Sequence, residues 1–105
     1  MPTPIRHLVI FHIRPGATPE QVKSFTDHFR ALKDNIPGII AFEHGENNSP
    51  EGMNRGLNHV YMLTFQDAAA RDAYLPHQEH KKFIELNATM GITDEVFVID
   101  YAPEP

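Results

Sequence analysis

Apolar and polar positions along this chain change period several times, and each change marks an element. "IRHLVIFHI", from Ile5 to Ile13, is rich in β-branched and aromatic residues and too short and too apolar for a surface helix. It predicts a strand buried on both faces. His7, Val9, Phe11 and Ile13 then share one face, and Leu8, Ile10 and His12 share the other. "PGATPEQ" stops the strand. Thr18 is a good N-cap, Pro19 suits the first helical position, and Gln21 completes a capping box. Val22, Phe25, Phe29, Leu32 and Ile36 then recur at steps of three and four, one apolar stripe that predicts an amphipathic helix. Pro37-Gly38 ends it.

"IIAFEHG" (Ile39 to Gly45) predicts a second strand. "ENNSPEGMNRG" has no apolar period and reads as a long polar loop, of the kind that either covers something or is a solvated connection. "NHVYMLTF" (Asn58 to Phe65) predicts a third strand, with His59, Tyr61, Leu63 and Phe65 on one face and Val60, Met62 and Thr64 on the other. Asp67 caps a short helix, "AAARDAYL". Pro76 interrupts it, and "HQEHKKFIEL" continues the helical region. "EVFVIDY" (Glu95 to Tyr101) is the last strand.

The order is β-α-β-β-α-β. Two strand–helix–strand units joined by the right-handed crossover rule give a ferredoxin-like α+β domain, a four-stranded antiparallel sheet with the helices on one face. Leu8, Ile10, Val60 and Met62 leave the other sheet face apolar, where a water-facing sheet would alternate with polar residues. Two copies closing their open faces into a dimeric α/β barrel resolve this, so the expected partner is a second copy of the chain.

Composition narrows the function. The 105 residues suit a single domain spanning 1–105. Zero cysteines exclude disulfides and thiolate metal sites and fit a cytoplasmic protein. "MPTPIRH" lacks the pattern of a signal peptide, and no run approaches the roughly 20 apolar residues of a membrane span. Nine basic residues are scattered in a chain of net charge −5, which argues against nucleic acid and anionic membranes.

Histidine stands out, with seven copies. His28 and His44 read as surface positions. The first and third strands are expected to be central, adjacent and parallel to each other, which brings His7 and His59 to one end of the layer between sheet and helices. Tyr74 and His80 come from the helical region packed over that layer, aimed inward by the break at Pro76, while His77 faces solvent. Phe25, Phe29 and Phe83 add apolar walls. Apolar walls with a few convergent polar groups make up a small-molecule site. The chemistry on offer is proton transfer: a neutral imidazole is a competent base near pH 7, and a phenol can donate to a carbonyl oxygen that gains charge. There is no cysteine nucleophile and no serine in a strand-to-helix elbow. His77 and His80 could bind zinc together with His7 or His59, but no carboxylate or cysteine stands in register as a further ligand, so no metal is expected.

The stretches "RHLVIF", "IPGIIAFEHGENNSPEGMNRGLNHVYMLTF", "RDAYLPHQEHKKF" and "VFVIDY" together resemble the Dabb family, the stress-responsive dimeric α/β-barrel domains, along almost the whole chain. The resemblance implies the ferredoxin-like dimer. It also implies a comparison with a plant polyketide cyclase of that family, which uses no cofactor and closes a poly-β-keto chain by an aldol step. On that resemblance His80 falls at the catalytic base and Tyr74 at the tyrosine that assists it. His7 and His59 fall on two further pocket histidines, and Val9, Phe11, Phe25, Phe29, Tyr61, Leu75 and Phe83 on pocket walls. Phe29 stands where the cyclase has a tyrosine and Tyr61 where it has a small aliphatic residue, which implies a smaller or reshaped cavity. "LNATMGITDE" is longer than its counterpart and has no tryptophan. Three readings follow: a cofactor-independent enzyme acting on a small keto or aromatic compound, a non-catalytic stress-related or ligand-binding dimer, and, by analogy of fold alone, a cofactor-free oxygenase.

Overall fold

The computed structural model describes residues 2–105. Its elements are β1 (Ile5–Ile13), α1 (Pro19–Asn35), β2 (Ile39–Glu46), β3 (His59–Phe65), α2 (Ala68–Tyr74), α3 (Gln78–Met90) and β4 (Thr93–Tyr101). One four-stranded sheet has the order β2-β3-β1-β4, and every neighbouring pair is antiparallel. Among the described residues no helix is long and apolar enough to cross a membrane.

Local chemistry sets the helix ends. At α1 the Thr18 side chain accepts from the Gln21 amide and the Gln21 side chain accepts from the Thr18 amide, so both halves of the capping box form. Asp67 accepts from the Ala70 amide and starts α2. Pro76 separates α2 from α3. His77, expected at the surface, instead caps α3, its Nδ1 accepting from the Glu79 amide at 3.0 Å. Gly91, in the left-handed region at φ 64°, closes α3. Helix α3 runs to Met90, past the expected end at Leu86, and β4 starts at Thr93, earlier than expected. Gly38 has φ 93°, and a Cβ there would lie 2.6 Å from the Ala70 Cβ, so the turn into β2 packs directly on α2.

The core lies between the helices and one face of the sheet. Strand β1 alternates buried and half-buried as expected, with His7, Val9, Phe11 and Ile13 inward. Phe25, Phe29 and Leu32 of α1, with Ile36 after it, pack against that face together with Tyr61, Leu63 and Phe65 of β3. The opposite face is open: Phe97 and Ile99 of β4 are 50% and 55% exposed, and they pair with Ile10 and Leu8.

One expectation is corrected. Strands β1 and β3 run antiparallel, not parallel. The α1 crossover makes β1 and β2 point the same way, and the β2–β3 connection then reverses β3 against both. As a result His7 pairs with Leu63, while His59 pairs with Phe11. Four strand positions, roughly 13 Å, separate the two imidazoles along the sheet.

The loop between β2 and β3 is a solvated connection. From Asn47 to Leu57 no residue lines the cavities described below. Its end is pinned by Asn58, whose side chain accepts from the Ile13 amide at 2.8 Å and donates to the Ile13 carbonyl at 2.9 Å.

Candidate active site

The break at Pro76 builds the site. Tyr74 closes α2 and is 1% exposed, and His80 opens α3 three residues past its cap. The two rings stack at 4.2 Å with 27° between their planes. The His7 ring meets the Tyr74 ring edge-on at 5.8 Å. Strand β1, the end of α2 and the start of α3 thus each bring one titratable ring to the same place.

Hydrogen bonds assign the protons. His80 Nδ1 donates to the Leu75 carbonyl at 3.0 Å. A carbonyl oxygen only accepts, so the proton is on Nδ1 and Nε2 carries the lone pair. His7 Nδ1 donates to Asp100 Oδ1 at 2.6 Å, and Asp100 Oδ2 accepts from Arg71 Nη1 at 2.8 Å. Asp100 and Arg71 therefore hold the His7 ring in one orientation. Among the described residues, no protein group bonds His80 Nε2, His7 Nε2 or the Tyr74 hydroxyl, and no buried side-chain polar atom lacks a partner. These three atoms consequently reach accessible space, and the three residues that carry them line one cavity.

That cavity measures about 310 Å³. It is lined by His7, Val9, Phe11, Phe29, Tyr74, Leu75, His80 and Phe83, all expected from the sequence, and also by Ile84, Asn87, Val96 and Val98. Burial holds the His80 imidazole below its usual pKa, with His7 and His77 pushing the same way and the Leu75 bond opposing. Burial pushes the Tyr74 hydroxyl up. At neutral pH the arrangement is thus a neutral imidazole, able to accept a proton, stacked on a protonated phenol, able to donate one.

Three expected pocket residues lie elsewhere. Phe25 is fully buried behind Phe29 and Phe83, with ring distances of 6.2 and 5.1 Å. Tyr61 is fully buried, its hydroxyl bonded to Thr26 Oγ1 at 2.7 Å and its ring stacked on Phe29 at 5.0 Å. Burial pushes its pKa up to about 12. His59 sits beyond this aromatic wall because of the antiparallel register. It borders a wider groove of about 700 Å³ with His44, Glu46, Thr26, Asp27 and Arg30.

In that groove His44, expected at the surface, packs on the other side of Tyr61 at 4.3 Å. Its Nε2 and His59 Nδ1 are 2.9 Å apart, so one imidazole donates and the other accepts. Burial lowers the pKa of both, and for His44 the neighbouring His59 adds to it. A histidine whose folded pKa is depressed contributes stability that is lost as pH falls below the unfolded value near 6.5, where the unfolded chain takes up protons first. The melting temperature is therefore expected to drop between pH 7 and pH 5, and His44→Gln to make that drop shallower. Asp27, held low by Lys23, changes charge below this window. Equal pH slopes for wild type and variant in a differential scanning fluorimetry series would exclude the pair as a source of acid sensitivity.

A β-α-β-β-α-α-β chain with one antiparallel sheet, a helical layer on one face and a cavity between them defines a ferredoxin-like α+β domain. More narrowly, the sequence profile of the stress responsive A/B barrel domain matches residues 5–103, and the chain belongs to that family. The stress-response A/B barrel domain-containing protein HS1 of Arabidopsis thaliana is 29% identical over 100 residues, covering 95% of this chain and 90% of that protein. The hydroxynitrile lyase of Passiflora edulis superposes with a TM-score of 0.85 at 18% identity, over 99% of this chain and 96% of that one. A protein of unknown function from Jannaschia sp. CCS1, described as dimeric and ferredoxin-like, superposes with a TM-score of 0.76 at 23% identity, over 95% of this chain and 99% of that one.

Proposed function

We propose that this chain is a homodimeric, cofactor-independent acid–base catalyst acting on a small keto or aromatic compound, in the manner of a polyketide cyclase. One observation carries the reading: the His80–Tyr74 stack borders an apolar cavity with the His80 proton fixed on Nδ1. His80 Nε2 would remove a proton from the carbon beside a carbonyl, and the Tyr74 hydroxyl would donate to the oxygen as it becomes an enolate. The enolate carbon then attacks a second carbonyl of the same molecule, and the imidazolium returns its proton to the new alkoxide. His7, held by Asp100, orients the substrate, and Val9, Phe11, Phe29, Leu75 and Phe83 exclude water from the enolate. His59 takes no part, since the aromatic wall stands between it and the cavity.

The solved hydroxynitrile lyase shows that this fold carries enzyme chemistry in another protein. The direct test is exchange of the methyl protons of acetophenone in D₂O, followed by proton NMR, which asks for the base step without needing the natural substrate. Exchange above the buffer rate is expected. Saturable binding with exchange at the buffer rate would replace the catalytic reading with a ligand-binding domain.

The dimer rests on the open sheet face, where Ile10 pairs with Phe97 and Leu8 with Ile99. Solved proteins of this fold are described as dimeric. Burying a charge at the centre of that face leaves it unpaired, so Ile10→Asp is expected to halve the mass seen by light scattering after size exclusion. A wild-type chain that elutes as a monomer at micromolar concentration would remove the homodimer.

A further inference from the structure

The acid–base groups occupy one end of the cavity, and the other end carries a polar residue of its own. Asn87 lies on α3 beyond His80 and Phe83, on the same helical stripe, and lines the same cavity. Two turns of helix separate it from His80, roughly 10 Å at 1.5 Å per residue. The turn at Gly91 brings β4 back beside α3, and the Thr93 hydroxyl donates to Asn87 Oδ1 at 2.8 Å. The amide oxygen is thereby engaged, and Nδ2 keeps its two protons with no protein partner among the described residues. Between the two ends the walls are hydrocarbon: Val9, Phe11, Phe83, Ile84, Val96 and Val98.

We propose that Asn87 is a second binding group, and that the ligand is an elongated molecule with an enolisable carbonyl at His80 and Tyr74 and a second oxygen acceptor received by Asn87 Nδ2. This rests on the acid–base reading above and adds a substrate class to it. The second oxygen explains why an amide stands in an apolar slot: a hydrocarbon tail would strip water from Nδ2 without replacing its hydrogen bond. The cavity therefore discriminates by the far end of the ligand as well as by its reactive end.

Two ketones with the same acetophenone head test it. In 1-(4-acetylphenyl)propan-2-one the tail holds a carbonyl, and in 4′-isobutylacetophenone a methyl-bearing methine of similar size replaces it. Affinities are measured by isothermal titration for wild type and for Asn87→Leu, which keeps the shape of the amide and loses the donor. The affinity ratio, diketone over isobutyl ketone, is expected to be about fivefold higher in wild type than in the variant, the size of one neutral hydrogen bond. Affinity of the variant for the isobutyl ketone equal to or above that of wild type shows that its cavity is intact, since leucine has no donor to desolvate, and Asn87→Ala serves if the leucine chain does not fold. An equal ratio in the two proteins, with acetophenone exchange intact, overturns the role of Asn87 alone. Failure of both ketones to bind wild type with acetophenone exchange intact removes the elongated ligand and leaves the acid–base reading; the same failure with exchange at the buffer rate overturns both.

Discussion

Acetophenone exchange is expected to fall by about 10²–10⁴-fold when His80 becomes glutamine, the range a positioned general base supplies. Glutamine keeps a group able to reach the Leu75 carbonyl but has no basic nitrogen to aim at the cavity. Tyr74→Phe should cost about 10²–10³-fold, because it removes the donor to the developing enolate while the ring stack stays. The pH profile separates these roles from a structural one. His80 is held below its usual pKa by burial, so its base form dominates at pH 7. The wild-type rate should thus be level around neutrality and decline only on the acid side, through a pKa below 6.5. The His80→Gln profile should lose that limb. A variant that keeps both rate and limb would move the base to His7, which lines the same cavity.

Much of this site is legible in the sequence because it is local. The spacing of Tyr74, Pro76 and His80 predicts a broken helix with two rings near the break, and seven residues cover the whole device. The capping box at Thr18 and Gln21 is equally short-range, and so is the alternation that turns His7, Val9 and Phe11 inward. These features need only the period of an element and the identity of its end residues.

What is not legible depends on register between distant strands. Asp100 lies 93 positions from His7 and reaches it only because β4 pairs with β1. His59 shares a face with Tyr61, as expected, yet the direction of β3 decides which end of β1 it meets. A signal for that direction was present: a crossover followed by a reversal must leave β3 antiparallel to β1. His44 reads as a surface position in the sequence, and only the sheet register sets it over Tyr61. Asn87 had no mark at all until Thr93 turned its amide.

The aromatic wall between cavity and groove carries the largest effect on stability. Phe29 is 2% exposed and touches its neighbours through rings at 4.5 Å to Phe83, 5.0 Å to Tyr61 and 5.4 Å to Phe42. Phe29→Ala removes that whole contact set and leaves a void that Tyr61 cannot fill, because Thr26 holds its hydroxyl. The expected cost is about 3–5 kcal/mol, a large part of the total stability of a small domain and a drop of at least about 12 °C in melting temperature. Urea unfolding at matched protomer concentration measures it, since dissociation of a dimer would otherwise enter the result. Phe29→Leu should recover much of the loss by refilling the space with hydrocarbon. The same void would extend the His80 cavity toward Tyr61, so 4′-isobutylacetophenone and longer alkyl ketones should gain affinity relative to acetophenone in whichever variant remains folded. A cost under 1 kcal/mol for the alanine variant would mean that the wall repacks freely, and the separation of the His80 cavity from the His44–His59 groove would then have no structural basis.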